Sequence, residues 1–141
     1  QRELALTHHL ANLKGARILL VEDNPFNQEL ALDLLTDAGL AVAGHADGQQ
    51  ALNMLAEQDF DGVLMDCQMP VLDGFAATRA LRRQPRWRSL PVIAMTANAM
   101  VGDREKVLEA GMDDHIAKPI KVDEMFATLA RWVRPGTGRP V

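Results

Sequence analysis

The chain has 141 residues, 48% of them hydrophobic and 24% charged, with a formal net charge of −4. This is the profile of one globular domain with a well-buried core and short tails, and it lacks the basic excess that neutralises nucleic-acid phosphates. The longest apolar runs fall far short of a membrane span, and a single cysteine, Cys67, excludes an internal disulfide framework.

Residues 1–14 are helix-prone (Leu4, Ala5, Leu6, Leu10, Leu13) and read as a linker or helical leader; the His8–His9 pair has no further ligand at a useful spacing. Arg17 to Val21 is a short apolar strand. Asn24 suits the N-cap of the next helix and Pro25 its first turn. That helix is expected to bury a stripe of Phe26, Leu30, Leu34 and Ala38, with Ala31 and Leu35 beside it, and to stop at Gly39. Leu40–Ala43 is the second strand. Asp47 and Gln50 are spaced for reciprocal capping of a helix that buries Ala51, Leu52 and Leu55. The run Val63-Leu64-Met65 ends on Asp66, the third strand, and Asp73 would cap a helix reaching Leu81. Pro91–Met95 is the fourth strand, followed by a helix carrying Val107 and Leu108 that ends at Gly111. His115–Ala117 is the fifth strand. A last helix puts Val122, Phe126, Leu129 and Val133 on one face, and residues 134–141, rich in Pro and Gly, read as a flexible tail.

Five apolar strands, each followed by an amphipathic helix, imply a parallel sheet covered on both faces. Right-handed crossovers leave few topologies, and the flavodoxin-like order 2-1-3-4-5 is the usual one at this size. The domain is expected to span residues 15–133.

Four polar groups then fall on one rim. The first strand ends in Glu22-Asp23, the third in Asp66, the fourth in Thr96 and the fifth in Lys118-Pro119. In open parallel sheets the carboxyl ends of the strands are where ligands bind. Two like charges at ~4 Å and an effective dielectric near 20 repel by about 4 kcal/mol, so such a cluster needs a cation or a retained proton. Hard carboxylate oxygens in an open, watery site favour Mg²⁺. Lys118 adds a point charge suited to a phosphate oxygen, and the Thr96 hydroxyl can donate to the same group. Together they describe a phosphoryl-transfer site with an aspartate nucleophile.

Val21-Glu22-Asp23-Asn24, Met65-Asp66-Cys67-Gln68-Met69-Pro70, Met95-Thr96-Ala97-Asn98-Ala99-Met100 and Lys118-Pro119, in that order, closely resemble the receiver domain of two-component response regulators. The likeness is greatest to receivers fused to hybrid sensor histidine kinases. It implies that Asp66 takes a phosphoryl group from a phosphohistidine on a kinase or phosphotransfer domain. It further implies that Asp23, Asp66 and the backbone carbonyl of Gln68 ligate Mg²⁺, with Glu22 acting through water. Lys118 would pair with the phosphoryl group, and Thr96 would move toward it after transfer. The histidine-bearing helices would dock on Asn24, Pro25, Phe26 and Ile120. One departure stands out: His115 occupies the position where the family usually carries Tyr or Phe, coupled to the threonine movement. Imidazole is smaller and titratable, so this part of the switch is expected to be altered or to have no role.

No P-loop or Gly-rich nucleotide fingerprint is present, so the phosphoryl donor is expected on another domain or protein. The parent would be a hybrid histidine kinase, with this part cytoplasmic and any membrane contact made through the fused sensor. Two other readings compete. An Mg²⁺-dependent phosphohydrolase with an aspartyl-phosphate intermediate would want a second acid two residues after the nucleophile, where this chain has Gln68. A degenerate receiver used only for docking would not need its acids.

Overall fold

The computed structural model describes residues 13, 15–45, 47–58, 60–66, 74–88, 90–96, 101–117 and 121–133. Its strands are β1 (Arg17–Val21), β2 (Ala41–His45), β3 (Gly62–Asp66), β4 (Val92–Thr96) and β5 (Asp114–Ala117). They form one parallel sheet in the order β2-β1-β3-β4-β5. Helices α1 (Pro25–Asp37), α2 (Gly48–Glu57), α3 (Gly74–Arg82), α4 (Val101–Ala110) and α5 (Val122–Trp132) alternate with the strands, with a short 3₁₀ turn at Pro85–Trp87. The flavodoxin-like expectation holds. Among the described residues no helix is long and apolar enough to cross a membrane.

The two-residue period of a strand divides the core in two. Ile18, Leu20, Leu64, Ile93 and Met95 point to the face covered by α1 and α5, where they meet Leu35, Met125, Phe126 and Leu129. Leu19, Val21, Val63, Met65 and Ala94 point to the other face, against Leu55 of α2, Leu81 of α3 and Val107 of α4. Central strands buried on both faces have no room for polar residues except at their ends. This geometry forces the chemistry onto the rims.

The helix ends follow local chemistry. The Asn24 side chain accepts from the N–H groups of Phe26 (2.9 Å) and Asn27 (3.2 Å), and Pro25 opens α1. Asp47 accepts from the Gln50 N–H at 2.9 Å, the expected first half of that cap. Gly39 and Gly111 adopt φ of 92° and 100°. At each of them the helix closes in the same way: Leu40 N–H donates to Leu35 O, and Met112 N–H donates to Val107 O, both at 3.1 Å. Each bond brings two buried apolar side chains together at the close of the helix.

Several apolar assignments change. Phe26 is 83% exposed and Leu30 is exposed too, whereas Ala31 and Leu35 carry the buried line of α1. Apolar residues wrap most of that helix, so two stripes competed in the sequence, and the second is the one that enters the core. Leu108 and Val122 are also exposed; Met125 and Ala130 join the buried face of α5 instead. Leu13, from the expected leader, is buried in the α1/α5 layer. The expected Asp73 cap, the remainder of the leader and the 134–141 tail lie outside the described residues.

Candidate functional site

Continuing the pairing of Val21 with Met65 by one residue sets Glu22 beside Asp66 at the carboxyl end of the sheet. Asp66 is in turn paired with Met95, and the next residue of β4, Thr96, is paired with Ala117 of β5. One rim therefore carries Glu22, Asp23, Asp66 and Thr96. Glu22, Asp66 and Thr96 are nearly sealed, at 1%, 4% and 6% exposure, while Asp23 opens to solvent. One carboxylate oxygen from each of Glu22, Asp23 and Asp66 lies within 4.8 Å of the others.

The β1–α1 turn holds Glu22 by hydrogen bonds of its own. Glu22 Oε1 accepts from the Asn24 N–H at 3.1 Å, so the residue that caps α1 also holds the first acid. The Glu22 carbonyl oxygen accepts from Gln28 Nε2 at 3.2 Å. The sequence reading missed Gln28. A signal was available, because Asn24, Gln28, Ala31 and Leu35 follow the helical period along the buried line of α1. A glutamine on an apolar stripe needs a polar partner.

Two of the three acids are buried at a strand edge and lie close together. At an effective dielectric near 20 their mutual repulsion is on the order of 3 kcal/mol. An all-oxygen donor set with one open side suits a small divalent cation that keeps part of its water, and the residues present fit Mg²⁺ on that ground.

The structure thus brings Glu22, Asp23, Asp66 and Thr96 to one rim. Asn24, Pro25 and Phe26 lie beside it, all exposed. Lys118, Pro119, Ile120 and Gln68, with its backbone carbonyl, lie outside the described residues. His115 sits apart on the sheet-edge strand β5, its N–H donating to Asp114 Oδ1 at 2.8 Å and its Nδ1 lying 3.8 Å from the same oxygen. Its side chain lines an open cavity of about 340 Å³ shared with Ile116, Glu124, Thr128 and Arg131.

Comparison with known proteins agrees with this geometry. The family profile for the response regulator receiver domain matches residues 18–130. The chain is 40% identical over 122 residues to the sensor protein GacS of Pseudomonas syringae pv. syringae. That match covers 84% of this chain but spans only 14% of GacS. The chain is 51% identical to the receiver domain of sensor histidine kinase PA1611 from Pseudomonas aeruginosa PAO1, whose crystal structure has a magnesium ion coordinated in the active-site cleft. The two agree with a TM-score of 0.78 over 84% of this chain and 97% of that one. A chain from the co-crystal of the Saccharomyces cerevisiae histidine phosphotransfer protein Ypd1 with the receiver domain of Ssk1 is 25% identical. Its TM-score is 0.80, over 85% of this chain and 90% of that one. Profile, sheet order and acidic rim converge: the chain belongs to the response regulator receiver domain family.

Proposed function

We propose that Asp66 is the phosphoacceptor of a two-component phosphorelay and takes its phosphoryl group from a phosphohistidine. A carboxylate oxygen of Asp66 attacks phosphorus as the P–N bond to the donor imidazole breaks. The imidazole nitrogen leaves with the bonding pair and takes up a proton, and an acyl phosphate remains on Asp66. Asp23, Asp66 and the Gln68 backbone carbonyl hold Mg²⁺, with Glu22 acting through water. The bound cation supplies charge neutralisation for the phosphoryl oxygens. Lys118 pairs with the transferred group.

The observation that carries this reading is the convergence of three carboxylates from the ends of β1 and β3 within 4.8 Å. The magnesium in the PA1611 receiver supports the choice of metal, and the Ypd1–Ssk1 complex supports a histidine phosphotransfer partner. The phosphoryl group carries about two negative charges at neutral pH, enough to draw the Thr96 hydroxyl inward and bias a two-state loop. His115 stands where the family's aromatic switch residue sits. The partner's helices dock on Asn24, Pro25, Phe26 and Ile120; the exposure of Phe26, a large apolar side chain beside the acids, supports that face. The similarity to GacS supports placement within a hybrid sensor kinase.

The test is phosphoryl transfer from a histidine-phosphorylated phosphotransfer domain. Wild-type protein is expected to take up label only with Mg²⁺ present, and Asp66→Asn to take up none. Label retained by Asp66→Asn would overturn the assignment.

A further inference from the structure

Resting on the metal site proposed above, we infer that Gln28 is a positioning residue for it, seated by the missing side chain of Gly44. The Gln28 amide donates to the Glu22 carbonyl oxygen at 3.2 Å, from one turn into α1. That carbonyl belongs to the peptide joining the two acids of the β1 end. Fixing it fixes the plane from which Asp23 departs toward Asp66. The Glu22 side chain is held in turn by the Asn24 N–H on its Oε1 at 3.1 Å. The turn is thus gripped at the Glu22 carbonyl by Gln28 of α1 and at the Glu22 side chain by the N-cap residue Asn24.

A second observation explains how Gln28 reaches so far. Gly44 pairs with Leu20 in the sheet, two residues before Glu22 along β1. A Cβ at Gly44 would lie 3.3 Å from Gln28 Cδ, 3.4 Å from Leu32 Cδ1 and 3.5 Å from Gln28 Cγ. Gly44 does not adopt a positive φ, so backbone freedom does not require glycine there. Close approach accounts for it: the glutamine packs against β2 at residue 44, and a Cβ there requires its side chain to give by a few tenths of an ångström. Hydrogen bonds that orient a metal's ligands act on affinity without touching the ion.

The test is a calorimetric Mg²⁺ titration of the full chain as wild type, Gln28→Met, Gly44→Ala and the double variant. Gln28→Met keeps the length of the side chain and removes the donor. Each single variant is expected to bind Mg²⁺ roughly three- to tenfold more weakly, the range of one lost hydrogen bond. The double variant should be no weaker than Gln28→Met alone, because Gly44→Ala acts through the glutamine. In phosphorylation by acetyl phosphate, the Mg²⁺ concentration for half-maximal labelling should rise by the same factor, and excess Mg²⁺ should restore the rate. A purely structural defect would not respond to metal in this way. Wild-type binding matched by Gln28→Met, or additive losses in the double variant, would overturn the positioning role and leave the metal site standing. A wild type that takes up no Mg²⁺ would overturn both.

Discussion

The two rims of the sheet use the same residue types to opposite ends. At the amino-terminal rim, Asp61 precedes β3 and Asp113 precedes β5, and each clasps the first residue of a neighbouring strand. Asp61 N–H donates to Arg17 O at 2.7 Å while its Oδ2 accepts from Arg17 N–H at 2.8 Å. Asp113 N–H donates to Val92 O at 2.8 Å while its Oδ2 accepts from Val92 N–H at 2.9 Å. Arg82 completes the second clasp, reaching Asp113 Oδ2 at 3.0 Å and the carbonyls of Gly111, Trp87 and Leu90 at 2.8, 2.6 and 2.7 Å. Burial pulls its guanidinium below the ordinary value, and the charge and hydrogen bond of Asp113 offset part of this; the group stays charged. At the carboxyl-terminal rim the acids face one another instead. Charge matched to donors ties strand ends together, whereas like charge held close stores the repulsion that a cation relieves.

Removing charge should therefore have opposite effects on the two rims. Arg82→Ala removes hydrogen bonds to two segments, 87–90 and 111–113, and should lower stability by about 2–3 kcal/mol in urea unfolding, with Mg²⁺ affinity unchanged. Asp66→Asn should leave metal-free stability unchanged or raise it by up to about 1 kcal/mol, since it relieves like-charge repulsion, while abolishing phosphorylation. If both variants lost stability equally, the contrast between the rims would fail.

Gly62 sharpens the comparison, because β3 joins the two rims. A Cβ there would lie 2.6 Å from Val133 Cγ2, a fully buried side chain. Gly62→Ala is expected to cost about 1–3 kcal/mol, and Val133→Ala should recover part of that loss in the double variant, as read by thermal unfolding. The smallest effect on stability belongs to Phe26. Phe26→Ala should stay within about 0.5 kcal/mol of wild type, yet slow transfer from a phosphohistidine partner while leaving labelling by acetyl phosphate intact.

The carboxyl-terminal rim was legible in the sequence because Glu22, Asp66 and Thr96 each end an apolar run, and a buried strand admits polarity only at its end. The β-strands were legible for the same reason, to within a residue or two: β2 runs Ala41–His45 where Leu40–Ala43 was expected, and β5 begins at Asp114. The amino-terminal clasps were not legible. Asp61 and Asp113 act across strands that are distant in sequence, and only the register brings them to Arg17 and Val92. The face of α1 was misread because its apolar residues nearly encircle it, and Gln28 was lost with it.

A crystal structure of the protein with Mg²⁺ and beryllofluoride puts the assignment of Asp66 and its metal to the test. The cation is expected between Asp23 and Asp66, with the beryllium adduct on a carboxylate oxygen of Asp66. An adduct on another residue, or a cation bound away from these two acids, would contradict it.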